Sequence, residues 1–129
     1  NGQFGNPSDV ALDSSGNVYV VENINCRVQK FTSNGTFITK WGGKGTGDGQ
    51  FELPSSITVD SSGNVYVSDS GNNRIQKFTS SGVFINKWGN FGTGDGQFRS
   101  PGDIVIDSSG YIYVADLTNY RIQVFRYNN

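Results

Sequence analysis

The sequence holds no histidine and no methionine, one cysteine and three prolines in 129 residues. Without histidine it lacks the commonest zinc ligand and the side chain most often used as a general base near neutral pH. The lone Cys26 has no partner for an intrachain disulfide and no visible activating neighbour. It reads as an incidental loop residue, with a free or intermolecular thiol as the alternative. No apolar run approaches the roughly 20 residues of a membrane helix, no leader segment is visible, and no stretch carries helical periodicity. Ten basic residues against eleven acidic ones give a net charge of −1. A chain so balanced exerts no global attraction on nucleic acid or anionic membranes. Lacking methionine and beginning inside a repeated phrase, it reads as a processed product or a piece of something longer.

What is present is a unit written nearly three times. Gly49-Gln50-Phe51, followed by Pro54, appears earlier as Gly2-Gln3-Phe4 with Pro7 and later as Gly96-Gln97-Phe98 with Pro101. Asp13, Asp60 and Asp107 keep a step of 47 residues, as do Arg27, Arg74 and Arg121. Such a period marks an array whose units cannot bury their apolar faces alone. The repeats run approximately over 2–48, 49–95 and 96–129, the last stopping at Tyr127-Asn128-Asn129, before a fourth strand and its Trp. In the middle copy, Ile57-Thr58-Val59, Val65-Tyr66-Val67, Arg74–Phe78 and Val83–Trp88 are short β-rich runs between clusters of turn formers. They predict a four-stranded antiparallel meander. The first two runs are apolar at nearly every position, as in strands covered on both faces. Gln76, Lys77, Asn86 and Lys87 place the third and fourth further from the centre. Asn34-Gly35-Thr36 fits both a glycosylation sequon and a turn; the turn is the simpler reading.

The run 57–69, with Asn73–Phe78 and Gly94-Asp95-Gly96-Gln97-Phe98, resembles the NHL repeat, and the likeness recurs through essentially the whole chain. The resemblance implies an all-β fold of propeller blades, six to a ring, usually used for binding. Three blades per chain would make half of a six-bladed propeller. Glu22 departs from the pattern where the other copies have Asp69 and Asp116. Half a ring leaves two end sheets bare, and such patches exceed what soluble monomers usually expose. The expected partner is therefore a second copy, closing one ring as a two-fold homodimer. The alternative is that this is part of a longer chain carrying the other blades.

The residues sort into scaffold and site. Asp13, Asp60 and Asp107 can bond backbone N–H groups two residues ahead and hold the turn; a calcium site is the alternative, with one acidic residue per loop. Arg27, Arg74 and Arg121 follow Glu22, Asp69 and Asp116 by five residues, which suggests bidentate pairs bracing a loop. Trp41 and Trp88 are expected to pack within or between blades. Asp9, Ser56 and Asp103 are expected as buried groups around the channel mouth, holding water or a cation. Loops that differ between copies are the better binding candidates: Glu22, Asn23 and Asn25; Asp69, Asn72 and Asn73; Arg99; Asp116, Thr118 and Tyr120.

The expected function is a non-catalytic assembly and binding module for protein or peptide, with no cofactor and no membrane contact. Single-stranded RNA binding, through Lys44, Phe91, Arg99 and Tyr120, is the alternative. A metal-dependent lyase or hydrolase, as in some related propellers, is a further one. Abundant Asn, Ser, Thr and Gly with little Lys lean weakly toward a secreted or surface location.

Overall fold

Every stretch of alternating or continuous β-branched and aromatic residues forms a strand, and every Asp-Ser-Ser-Gly phrase forms a tight turn between two of them. The computed structural model describes residues 1–126; Tyr127-Asn128-Asn129, where the third copy was expected to stop, lie outside the described residues. The first blade is β1 (Pro7–Leu12), β2 (Val18–Glu22), β3 (Arg27–Phe31) and β4 (Phe37–Gly42). The second is β5 (Ser56–Val59), β6 (Val65–Asp69), β7 (Arg74–Phe78) and β8 (Phe84–Trp88). The third is β9 (Pro101–Ile106), β10 (Tyr111–Asp116) and β11 (Arg121–Arg126). Each is an antiparallel sheet in chain order, four-stranded in the first two and three-stranded among the described residues of the last. Single 3-10 turns at Ser70–Asn72 and Leu117–Asn119 join the second strand to the third.

The cores lie between neighbouring sheets. One joins Tyr19, Val21 and Val28 of the first blade to Phe51, Val65, Val67 and Phe78 of the second. The other joins Tyr66 and Ile75 of the second blade to Phe98, Ile104, Ile112 and Val114 of the third. Trp41 and Trp88 bridge the same seams. The Trp41 ring lies edge-on to Tyr19 at 6.4 Å in its own blade and 5.7 Å from Phe78 in the next. Trp88 repeats this with Tyr66 at 6.3 Å and Phe125 at 5.6 Å. Gly82 makes room for Trp41: a Cβ there would stand 2.5 Å from the indole, and the backbone φ of +92° disfavours any side chain.

Burial departs from the sequence pattern in two places. β7 is buried throughout, including Gln76 and Lys77, whereas β8 alternates between half-buried and exposed positions. Gln76 is inside because its amide is fully bonded there. The innermost strand β1, expected to be covered on both faces, is largely exposed because its outward side has no neighbouring sheet.

Candidate functional site

The turns after the first strand of each blade are closed by their aspartates. Asp13 Oδ1 accepts the N–H groups of Ser15 and Asn17, both at 2.9 Å. Asp60 accepts those of Ser62 and Asn64 at 2.9 Å, and Asp107 those of Ser109 and Tyr111 at 2.9 and 3.0 Å. The second oxygen of each takes a tyrosine hydroxyl, from Tyr19, Tyr66 and Tyr113. These tyrosines, at a constant six residues from the Asp, carry a role the sequence reading missed. Asp13 and Asp107 are held below their ordinary value. For Asp13, burial pushes the carboxyl up and bonds from Asn17, Ser15 and Tyr19 more than offset it. At Asp107 the leading cause is the Tyr111 N–H. No group of three or more acidic or thiol side chains placed to hold a metal ion exists among the described residues.

The loop face is organised by a second carboxylate. Asp69 has no exposed surface. Its Oδ2 accepts Arg74 Nε at 2.7 Å, Asn72 Nδ2 at 3.0 Å and Gln76 Nε2 at 3.3 Å, and its Oδ1 accepts the Glu52 N–H at 2.7 Å. Asp116 repeats the set with Arg121, Asn119, Gln123 and the Arg99 N–H. Glu22 repeats it with Arg27, Asn25, Gln29 and the Gly5 N–H. The longer Glu22 side chain serves the same purpose as the two aspartates.

The expected bidentate Arg–carboxylate pairing needs correction in two blades out of three. Arg27 reaches both oxygens of Glu22, but Arg74 and Arg121 give only Nε to the acid. Their terminal nitrogens instead donate to the carbonyls of Thr46, Gly47 and Gln50, and of Thr93, Gly94 and Gln97. Each guanidinium thus ties the glycine-rich link to the blade it enters. Gln76 and Gln123 reinforce this, donating to the Gln50 and Gln97 carbonyls at 2.6 Å.

Glu22, Asp69 and Asp116 therefore do not present carboxylates on the loop face, contrary to their placement among the binding candidates; they have no exposed surface and are spent on the loop itself. Asn72 is likewise engaged, donating to the Gly45 carbonyl as well as to Asp69. Asn23 reaches across to Pro54 of the next blade at 3.1 Å, and Asn73 Oδ1 accepts the Ser100 N–H at 2.8 Å. The Thr118 N–H donates to the Arg99 carbonyl. Cys26 is 2% exposed and packs in the core between the first two blades rather than in an open loop. Its φ of 50°, like those of Asn73 and Tyr120 at 53° and 55°, is left-handed.

What the face does offer is apolar. Tyr120 is 93% exposed, and Ile24, Leu117, Phe91 and Leu53 also stand out from it. Arg99 lies over the Phe91 ring at 5.5 Å, and Lys44 reaches Glu52 at 3.9 Å.

Where β1, β5 and β9 come together, Ser56 Oγ stands 2.8 Å from Asp9 Oδ2 and 3.0 Å from Asp103 Oδ1, its single proton serving one at a time. Asp9 also accepts the Ile57 N–H at 3.0 Å. The two carboxylates are not buried as expected: Asp9 is half-buried and Asp103 exposed.

The loop carboxylates give the fold a pH dependence. Burial pushes Glu22 up, but Arg27, the Gly5 N–H, Asn25 and Gln29 together hold it below its ordinary 4.5. Asp116 is likewise pushed up by burial and brought below its ordinary 3.8 by the Arg99 N–H, Asn119 and Arg121. A carboxyl depressed in the folded state contributes stability that is complete above its unfolded value and is lost as pH falls through the folded one. Thermal melts are expected to hold a constant midpoint from neutral pH down to about pH 5 and to fall below it. A Glu22→Gln, Asp116→Asn double variant should start lower and lose less on acidification.

Three comparisons bear on this geometry. A sequence search of curated proteins finds no match. Solved structures do match: hydrazine synthase from Kuenenia stuttgartiensis has a TM-score of 0.75 at 13% identity, over 96% of this chain and 33% of that one. Virginiamycin B lyase from Staphylococcus aureus matches at 0.68 and 17% identity, over 98% of this chain and 43% of the lyase. A gluconolactonase from Xanthomonas campestris matches at 0.62 and 14%, over 87% and 35%. At such identities the likeness is one of fold, that of β-propeller blades, and this chain spans less than half of each relative. The NHL repeat profile matches residues 4–31, 51–78 and 98–125, the spans holding the aspartate turns and the Arg–carboxylate loops. The chain belongs to the NHL repeat family.

Proposed function

We propose that the chain is a non-catalytic assembly and binding module that pairs with a second copy into a six-bladed ring and presents its loop face to a protein or peptide. The supporting observation is that one surface is sealed at both internal joints and bare at both ends. Phe51 and Ile57 are buried against the first blade, whereas their equivalents Phe4 and Val10 are 47% and 57% exposed. Val28 and Ile75 are fully buried, whereas their equivalent Ile122 is 64% exposed. The first blade thus carries one half of the repeated joint and the third blade the other half. Joining them head to tail across a two-fold axis buries both at once, with apolar burial as the driving force. On the loop face, exposed Tyr120, Leu117 and Phe91 offer aromatic and aliphatic anchors of the kind that dominate protein interfaces. Glu22, Asp69 and Asp116 and the arginines beside them are bonded into the loops, which supports binding rather than turnover.

The closing joint has a recognisable flaw. Internally, Ser56 separates Asp9 from Asp103; at closure, Asp103 would meet the partner's equivalent of Asp9 with no hydroxyl between them. Asp103→Ser reproduces the internal joint and should tighten pairing by a few-fold, since facing like charges cost up to about 1 kcal/mol. Leu12→Lys, at a position 63% exposed within the chain, should instead shift the particle to single chains without unfolding it. Concentration-dependent sedimentation of the two variants reads both effects. Identical masses for both at every concentration would count against closure by pairing.

A further inference from the structure

The turn between β3 and β4 carries a motif that binding through the loop face does not use. Asn34-Gly35-Thr36 is the one place in the sequence where Asn stands two residues before Ser or Thr without proline between them; Asn6-Pro7-Ser8 has the proline. That pattern is the acceptor for N-linked sugar on exposed segments. It also suits a tight turn, and a tight turn is what forms.

The turn does not require these two residues. Thr32 N–H donates to the Thr36 carbonyl at 2.8 Å and Gly35 N–H to the Thr32 carbonyl at 3.0 Å. In the second blade Thr79 and Gly82 make the same two bonds, at the same lengths. The hydroxyls of Thr32 and Thr79 each accept the N–H four residues on, at 3.0 and 3.1 Å. Gly35 and Gly82 both take a left-handed backbone, with φ of 88° and 92°. Threonine and glycine therefore specify the turn, and both copies share them. Asn34 and Thr36 stand where the second copy has Ser81 and Val83, so the acceptor pattern is laid onto a turn that folds without it.

The geometry leaves the amide nitrogen unspent. Asn34 Oδ1 accepts the Thr36 hydroxyl at 3.0 Å, the Thr36 N–H at 3.4 Å and the Thr32 hydroxyl. Among the described residues its Nδ2 has no acceptor, so substitution there breaks no bond of the fold. Residues 33–36 are all exposed. A neighbouring blade does not change that: Trp41 lies against Gly82, yet Ser81 and Val83 on either side remain exposed. In a meander the β3–β4 turn lies at the opposite end of the sheet from the β2–β3 loop, so a sugar there leaves the loop face clear.

We infer that Asn34 is a glycosylation site, accepting an oligosaccharide from a polyprenyl-diphosphate-linked donor. Nδ2 forms a bond to C1 of the donor's first sugar as the C1–O bond to the diphosphate breaks. The diphosphate leaves with the electron pair, and the amide gives up one proton. The site is independent of ring closure and compatible with it.

The test is secretion of the 129-residue chain from eukaryotic cells behind a cleavable leader, read by intact mass. One glycan per chain is expected, and peptide-N-glycosidase in heavy-oxygen water should turn Asn34 alone into a labelled aspartate. Thr36→Val and Asn34→Ser introduce what the second blade carries and so keep the turn; each should abolish attachment. Thr36→Ser should retain it. A secreted, folded chain without sugar, or sugar that persists in Thr36→Val, overturns the assignment. Sedimentation of the same samples reads the ring separately. A sugar-free particle of two chains removes the site and keeps the ring, whereas a glycosylated single chain does the reverse.

Discussion

Phe78→Ala is expected to be among the most damaging single changes in the chain, removing about 3–5 kcal/mol, the range for truncating a buried aromatic side chain. The ring has no exposed surface. It touches Trp41 at 5.7 Å, Phe51 at 5.7 Å and Phe84 at 6.1 Å between centroids. One residue therefore holds two blades and the link between them, and its loss opens a void that rigid sheets cannot close. Against a typical total of about 5–15 kcal/mol, the array would be left marginal. Urea unfolding followed by tryptophan emission measures this directly, because Trp41 reports on the same joint. A loss below about 1 kcal/mol would mean that the joint is not the unit of stability.

Asp69→Ala is expected to cost a similar amount, about 3–5 kcal/mol, by a different route: it leaves the Arg74 guanidinium buried without its counter-charge. The Arg74 side chain is 8% exposed and the Asp69 side chain fully buried, so water cannot replace the lost partner. The Gln76 amide and the Glu52 N–H lose an acceptor as well. Asp116→Ala, the equivalent change in the third blade, should cost less, because the Arg121 side chain it leaves without a counter-charge is 28% exposed. Pairing Asp69→Ala with Arg74→Met removes the orphaned charge and should restore part of the loss. Additive losses in that double variant would show that the two side chains do not act as a pair.

Much of this was legible before any coordinates. The 47-residue step placed the strands, and the Asp-Ser-Ser-Gly phrases fold as expected because an aspartate bonding two N–H groups within four residues is a local event. The five-residue spacing from acid to arginine pointed to their pairing. It did not reveal that the acid turns inward, which is why Glu22, Asp69 and Asp116 were placed on the binding face. Gln76 read as a mark of a wet strand. Its burial depends on the Gln50 carbonyl and the Gly49 N–H, 26 and 27 residues away, and no local pattern encodes that. Cys26 was opaque alone, but Asn73 at the same place, a residue tolerant of left-handed backbone, was the available signal. Asp9 and Asp103 meet at Ser56, yet their exposure follows from which sides of the sheets have neighbours.

Bare flanks with complementary halves of one joint are the centre of this account, and the solution mass of the 129-residue chain tests them most directly. Sedimentation equilibrium should return about twice the chain mass of 14.0 kDa, with Leu12→Lys returning a single chain. A wild-type particle of one chain, soluble and folded across the accessible concentration range, would contradict it.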